Sequence, residues 1–221
     1  MISPGGWNDD WAGLVTERCV PMAAPDAALA ARTPHSWLNQ AEWEQGRPDD
    51  PAWLVGRWLG KTLVREVLGS EASLRDLTIL SVDGRGRRNR PRVFLHGGAL
   101  SVRLSLAHSR RFAYAAVSAE PRLRFGVDIA DLEDIGTALP RAWFLPAERA
   151  VARTAADTLR IWTAKEACYK ACQTGEAFVP QQCLVRLTGE GLYGRQVCRI
   201  RWQADEAMVR ALAMAREDDD D

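Results

Sequence analysis

Apolar positions recur at helical spacing over residues 50–69, where Leu54, Val55, Trp58, Leu59, Thr62, Leu63 and Val67 form one stripe. Asp50 fits the N-cap, Pro51 the first helical position and Gly69 the position just past the end. The other face carries Arg57, Lys61 and Arg65, which reads either as a solvated face or as one that meets a phosphate. Residues 71–125 read mostly as strands and turns, with a turn signal at Asp83-Gly84. Phe112 to Ser118 is an apolar run suited to a buried strand, and Phe125, Val127 and Ile129 alternate with Gly126 and Asp128. Residues 146 to about 175 read as largely helical, opened by Pro146 and Glu148. The strongest stretch there runs from Thr158 to Ala171, with Gly175 closing it. Strand-like material follows near 182–202, and a helix is expected from Ala204 to Arg216. Residues 1–48 are expected to be irregular, because Pro4, Pro21, Pro25, Pro34 and Pro48 interrupt them, although Trp7, Trp11 and Trp37 need burying.

This order predicts an α+β architecture of two similar-sized parts breaking near residue 120. We expect an N-terminal subdomain over 1–120, a C-terminal one over 121–216, and a solvated acidic tail over 217–221. Chain length and an apolar fraction of 47% allow a real core. Lys+Arg and Asp+Glu are both 29, a balance that argues against a nucleic-acid binder. No apolar run is long enough to span a membrane, and the N-terminus lacks signal-peptide features, so no membrane association and a cytoplasmic location are expected. Five cysteines without an export signal read as reduced thiols, and no histidine lies at zinc-ligand spacing from a cysteine pair.

Three segments carry candidate chemistry. In Gly126-Val127-Asp128-Ile129, a carboxylate beside a glycine on an apolar strand can hold a divalent cation close to the backbone, or it can simply cap a turn. In Trp162-Thr163-Ala164-Lys165-Glu166-Ala167-Cys168-Tyr169-Lys170, residues Trp162, Glu166 and Lys170 share one helical stripe. A surface ion pair explains Glu166 and Lys170 at a gain of only ~0.3–0.5 kcal/mol. Trp162, however, turns that stripe toward the core, where charged groups need a partner, a metal or a task. In Leu104-Ser105-Leu106-Ala107-His108-Ser109, a histidine after an apolar strand can bind a phosphate or sit half-buried. A fourth feature, Arg85 to Arg92, concentrates five arginines near a turn and makes a local positive field.

Taken in order, these segments resemble the Sfp-type 4′-phosphopantetheinyl transferases. That family shows a Ser-His segment, then Gly-(Val/Ile)-Asp, then Trp-(Ser/Thr)-x-Lys-Glu-(Ala/Ser)-x-x-Lys some forty residues on. Here the last motif matches at Trp162, Thr163, Lys165, Glu166, Ala167 and Lys170. Asn89-Arg90-Pro91 and Phe144-Leu145-Pro146-Ala147-Glu148 resemble further family segments, and Trp37 to Glu42 aligns more loosely. The resemblance implies two α/β subdomains in a pseudo-twofold arrangement, and a monomer that moves phosphopantetheine from coenzyme A to a serine of an acidic carrier protein. It implies Mg²⁺ held by Asp128 and Glu166, with Glu166, Lys170 and Asp128 as the catalytic set. It implies coenzyme A contacts from His108, Ser109, Arg90, Pro91, Lys165, Lys170 and Arg57.

The chain also departs from the pattern. Ala130 stands where a second acidic residue is frequent, and Ala107 stands where a serine usually precedes the histidine. Metal binding would then rest on Asp128, Glu166, water and the coenzyme A pyrophosphate, which magnesium tolerates. Asp131 would face away from Ala130 along a strand. Those departures keep open a non-catalytic coenzyme A or carrier-protein binding module, and the arginine loop keeps open an RNA-binding reading.

Overall fold

The computed structural model describes residues 13–82, 88–133, 141–172 and 177–215. The Asp83-Gly84 turn, Arg85 and Arg87, Gly175, Trp7, Trp11 and the acidic tail lie outside these residues. The chain begins with β1 (Thr16–Pro21), α1 (Pro25–Arg32), α2 (Gln40–Gln45) and α3 (Pro51–Val67). It continues through β2 (Leu77–Val82), β3 (Arg88–Leu95), β4 (Gly98–Ala99), β5 (Arg103–His108) and β6 (Phe112–Ser118). Then come β7 (Arg124–Asp131), α4 (Pro146–Val151), α5 (Ala155–Cys172), β8 (Cys183–Arg186), β9 (Glu190–Tyr193), β10 (Gln196–Ala204) and β11 (Met208–Ala215). This is a mixed α+β fold, with three antiparallel sheets and five α-helices among the described residues.

Helix α3 forms where the apolar stripe places it. The Asp50 carboxylate accepts from the backbone N–H groups of Ala52 and Trp53, and Gly69 follows the end at a φ of +58°. Its Val55, Leu59, Leu63 and Val64 pack on Leu77 and Ile79 and on Ala113, Ala115 and Val117 of β6. Residues 1–48, expected to be irregular, contain β1, α1 and α2 within their described part. The prolines fit these elements instead of breaking them. Pro21 ends β1, an edge strand in the order β1-β6-β5, and Pro25 occupies the first turn of α1.

The helix expected over Ala204–Arg216 is instead the end of β10, a turn and β11. Asp205 closes the turn, its Oδ1 accepting from the N–H groups of Ala207 and Met208. β11 lies between β7 and β10 and is buried on both faces. Ala211, Ala213 and Ala215 share the core under α5, whereas Leu212 and Met214 pack with Tyr114 and Ala116 of β6. The alanines of β11, good helix formers by propensity, are the small side chains that let α5 lie close on the sheet, a case of tertiary packing overriding propensity. The same core holds Cys168, Cys172, Cys183 and Cys198 as buried free thiols.

One pattern of connections occurs twice. β1-β6-β5 repeats in β7-β11-β10: a first strand pairs with a last strand, which pairs with the strand before it. Each half carries a fully buried Glu–Lys pair. Glu42 is the third residue of α2; its carboxylate caps Asn39 N–H, accepts from Ile79 N–H and lies 2.5 Å from Lys61 Nζ. Glu148 caps Leu145 N–H, accepts from Val185 N–H and lies 2.8 Å from Lys165 Nζ. Each lysine also donates to two carbonyls: Lys61 to Trp37 and Leu74, Lys165 to Pro180 and Cys183. Lys61 is therefore not part of a solvated face, and Arg57, donating to Ile79 O and Ser81 Oγ, is buried with it.

A charge left alone at such a site costs about 3–5 kcal/mol. Lys61→Met is expected to lower unfolding free energy by about that amount, and adding Glu42→Gln to recover a large part. Urea denaturation checks both; a single-variant loss below about 1 kcal/mol would dismiss the pair as an anchor. At Gly126, an added Cβ would lie 2.2 Å from Ala167 O and 2.6 Å from Lys170 Cβ. Gly126→Ala should therefore lift α5 from β7 and cost about 1–3 kcal/mol, read as a lowered midpoint of thermal unfolding.

Candidate active site

β7 and α5 bring the two acidic motifs together. β7 alternates, with Phe125, Val127 and Ile129 in one core and Gly126 and Asp128 on the side of α5. Because Gly126 has no side chain, the helix settles on the strand, and Lys170, one turn beyond Glu166, reaches across to Asp128. Lys170 Nζ lies 2.7 Å from Asp128 Oδ1, donates to Val127 O at 3.0 Å, and stands 3.8 Å from Glu166 Oε2. The Asp128 side chain is 8% exposed, against 29% for Glu166 and 23% for Lys170.

Burial and then the neighbouring Glu166 charge push the Asp128 carboxyl up to about 8, against the pull of Lys170. Burial works against the Lys170 ammonium, but Asp128 and Glu166 outweigh it and raise its pKa. Two carboxylates in such proximity, one of them inside the protein, fit a divalent cation that would relieve their repulsion. Among the described residues no group of three or more His, Cys, Asp or Glu side chains is placed to share a metal. Ala130 supplies no third carboxylate, and Asp131 is engaged elsewhere: it accepts from Ser109 Oγ at 2.7 Å and from Arg111 N–H at 3.2 Å.

Lys170 also lines a cleft of about 940 Å³ between α3, β2, β3, β5 and the end of α5. Arg47, Arg57, Arg90, Arg92, Arg103 and His108 line it as well, with no aspartate or glutamate among the described lining residues. Trp53, Tyr169 and Phe178 add aromatic walls, and Pro91 adds another apolar one. Arg90 donates to Ala171 O at 2.6 Å, joining β3 to the end of α5. Burial, then Arg103 and Arg124, lower Arg90 to about 10. Burial also lowers His108, with Lys170 and Arg47 adding to the effect against Asp50. A volume of this size with convergent cations suits a large, anionic small molecule.

Of the residues singled out in the sequence, Asp128, Glu166 and Lys170 come together, and Lys170, His108, Arg90, Pro91 and Arg57 share the cleft. Lys165 and Ser109 do not line it. Lys165 is sealed against Glu148, because its position on α5 points it under the helix toward β8. Ser109 closes the turn between β5 and β6, its Oγ accepting from Phe112 N–H and donating to Asp131. The sequence reading missed Trp53, Arg103, Tyr169 and Phe178 as cleft walls and Glu42 and Glu148 as buried partners. Asn39-x-x-Glu42 has capping-box spacing and could have pointed to one of these; the walls come from separate elements and leave no local signal.

No curated protein matches the chain. A family model does match, over residues 124–211, from the start of β7 into β11, and it contains Asp128, Glu166 and Lys170. Over that stretch, the chain matches the family model of the 4′-phosphopantetheinyl transferase superfamily.

Proposed function

We propose that the protein transfers the 4′-phosphopantetheine of coenzyme A to a serine of an acyl or peptidyl carrier protein, releasing 3′,5′-ADP. The observation that carries this reading is the Asp128–Glu166–Lys170 cluster at one end of a cleft whose described lining residues include several arginines and no aspartate or glutamate. Coenzyme A is a polyanion with an aromatic base and a long polar arm, and the cleft offers cations, aromatic walls and sufficient volume for it. Residues up to about 120 supply most of the basic side chains of the cleft, with Arg90 as a cation and His108 as a neutral hydrogen-bonding group for the 3′-phosphate and adenosine end. The segment after residue 121 supplies the acidic pair and Lys170.

Asp128 and Glu166 would hold a magnesium ion, which when bound neutralises charge on the diphosphate and its leaving group. The serine oxygen attacks the phosphorus on the pantetheine side of the diphosphate, and the bond to the bridging oxygen breaks. Glu166, the more exposed of the two carboxylates, would take the serine proton. Lys170 stabilises charge developing on the phosphoryl oxygens. Carrier proteins are acidic, so the basic rim around Arg47 and Arg92 gives a neutral protein a surface on which to receive one. No helix among the described residues is long and apolar enough to cross a membrane.

Mass spectrometry of an apo carrier protein incubated with enzyme, coenzyme A and Mg²⁺ tests the reading; an unmodified serine across acyl and peptidyl carriers would refute it. Asp128→Asn and Glu166→Gln are each expected to cut transfer at least about a hundredfold with the fold retained. Near-normal turnover of either at low Mg²⁺ would remove that residue from the site. The pH dependence follows from Asp128. A carboxyl whose pKa is raised by burial and by Glu166 holds its proton to higher pH than an ordinary aspartate and must lose it to ligate a cation. The Mg²⁺ concentration for half-maximal rate should therefore fall as pH rises toward 8 and level off above it. A requirement independent of pH between 6 and 9 would contradict the assignment.

A further inference from the structure

The oxygens of the acidic pair already hold a cation, and it is one of the chain's own. Lys170 Nζ sits among Asp128 Oδ1 at 2.7 Å, Val127 O at 3.0 Å and Glu166 Oε2 at 3.8 Å. Carboxylate and carbonyl oxygens are the ligands a small divalent ion seeks. The lone pair that accepts from the ammonium cannot at the same time bind a metal, and a unit positive charge beside the site opposes a second cation. Lys170 is thus both the group that stabilises the carboxylates and the competitor of any ion that would replace it.

The geometry also gives Lys170 a second place to go. Its side chain lines the basic cleft next to Tyr169 and is 23% exposed, on a flexible four-carbon stem. Lys165, five residues earlier on the same helix, shows the contrast: it is 0% exposed and held by Glu148 and two carbonyls. One lysine is locked; the other stands at the boundary between an acidic pair and an anion-binding cavity.

Building on the transferase reading, we propose that Lys170 is an internal substitute for the divalent ion. It neutralises Asp128 and Glu166 while the cleft is empty. It gives up their oxygens when the ion arrives, and its ammonium turns into the cleft toward the diphosphate of coenzyme A. The exchange makes the two ligands cooperative. Without the diphosphate the ion must displace an ammonium that has no other anionic partner; with it, the displaced ammonium gains one. Ala130 sharpens this dependence, because a third carboxylate that could hold the ion without displacing Lys170 is absent from that position.

Calorimetric titration of Mg²⁺ into the intact protein tests the exchange, with and without coenzyme A, in alkaline buffer where the carboxylates are ionised. Lys170→Met should bind Mg²⁺ alone about tenfold more tightly than the wild type, or more, because the competing charge is gone. Coenzyme A should then tighten Mg²⁺ less in that variant than in the wild type, while Lys170→Arg, which keeps the charge, should still bind Mg²⁺ alone weakly. A folded Lys170→Met that binds Mg²⁺ no more tightly overturns the inference. Should that variant not fold, the ¹⁵Nζ resonance of Lys170 in the wild type decides: it should shift when Mg²⁺ and coenzyme A are both added, and an unmoved resonance overturns the inference. Failure of the wild type to bind Mg²⁺ even with coenzyme A would instead sink the transferase reading itself.

Discussion

Everything at the candidate site depends on how closely α5 lies on β7. That distance is set by one missing side chain, at Gly126, where the carbonyl of Ala167 and the Cβ of Lys170 fill the space a Cβ would take. Small residues extend the same surface along β11, where Ala211 and Ala213 stand beside Asp128 and Gly126 in the sheet register. Close packing brings a long, flexible lysine and a glutamate from the helix against a carboxylate on the strand. A helix standing farther away would leave Asp128 buried with no partner, a costly state for a charged group. The glycine and the aspartate two positions later are therefore one physical unit: one admits the helix, and the other needs what the helix carries.

The two buried Glu–Lys pairs serve a different end. Each glutamate caps a short helix, meets a β-strand N–H and neutralises a lysine from a long helix. One carboxylate thereby joins three elements whose backbone groups would otherwise be buried without partners. Such pairs add little to stability against apolar alternatives, but removing one member is expensive, so they fix which elements meet. One pair joins α2 to α3 and the other α4 to α5, and the two runs of strand connections carry different surfaces. In the first run that surface contributes cations to the cleft; in the second it presents the acidic pair.

The cleft and the acidic pair make opposite electrostatic demands within a few ångströms. Arg57, Arg90, Arg92 and Arg103 of the cleft are engaged by carbonyls and aromatic rings: Arg57 on Ile79 O and over Trp53, Arg90 on Ala171 O, Arg92 over Phe94 and Arg103 on Pro121 O. That field remains available to an anionic ligand. Asp128, Glu166 and Lys170 hold the transition from positive to negative, and Lys170 belongs to both sides.

The sequence by itself determined the local and the chemical parts. Spacing defined α3 with both of its caps, β6 from Phe112 to Ser118, and the alternation of β7 that turns Asp128 toward the helix; the motif with Glu166 and Lys170 indicated the reaction class. These are properties of neighbours along the chain, where periodicity and residue type carry the information. Only the tertiary structure decided what distant residues become to one another. β11 is a strand because it lies between two others under α5, although its alanines favour a helix. Lys165 is a structural lysine because Glu148 and two carbonyls surround it, and Lys61 is buried because Glu42 reaches it from a different helix. Two lysines five residues apart on α5 meet different surroundings, since burial and partner charge come from the fold that encloses them and not from the residues beside them.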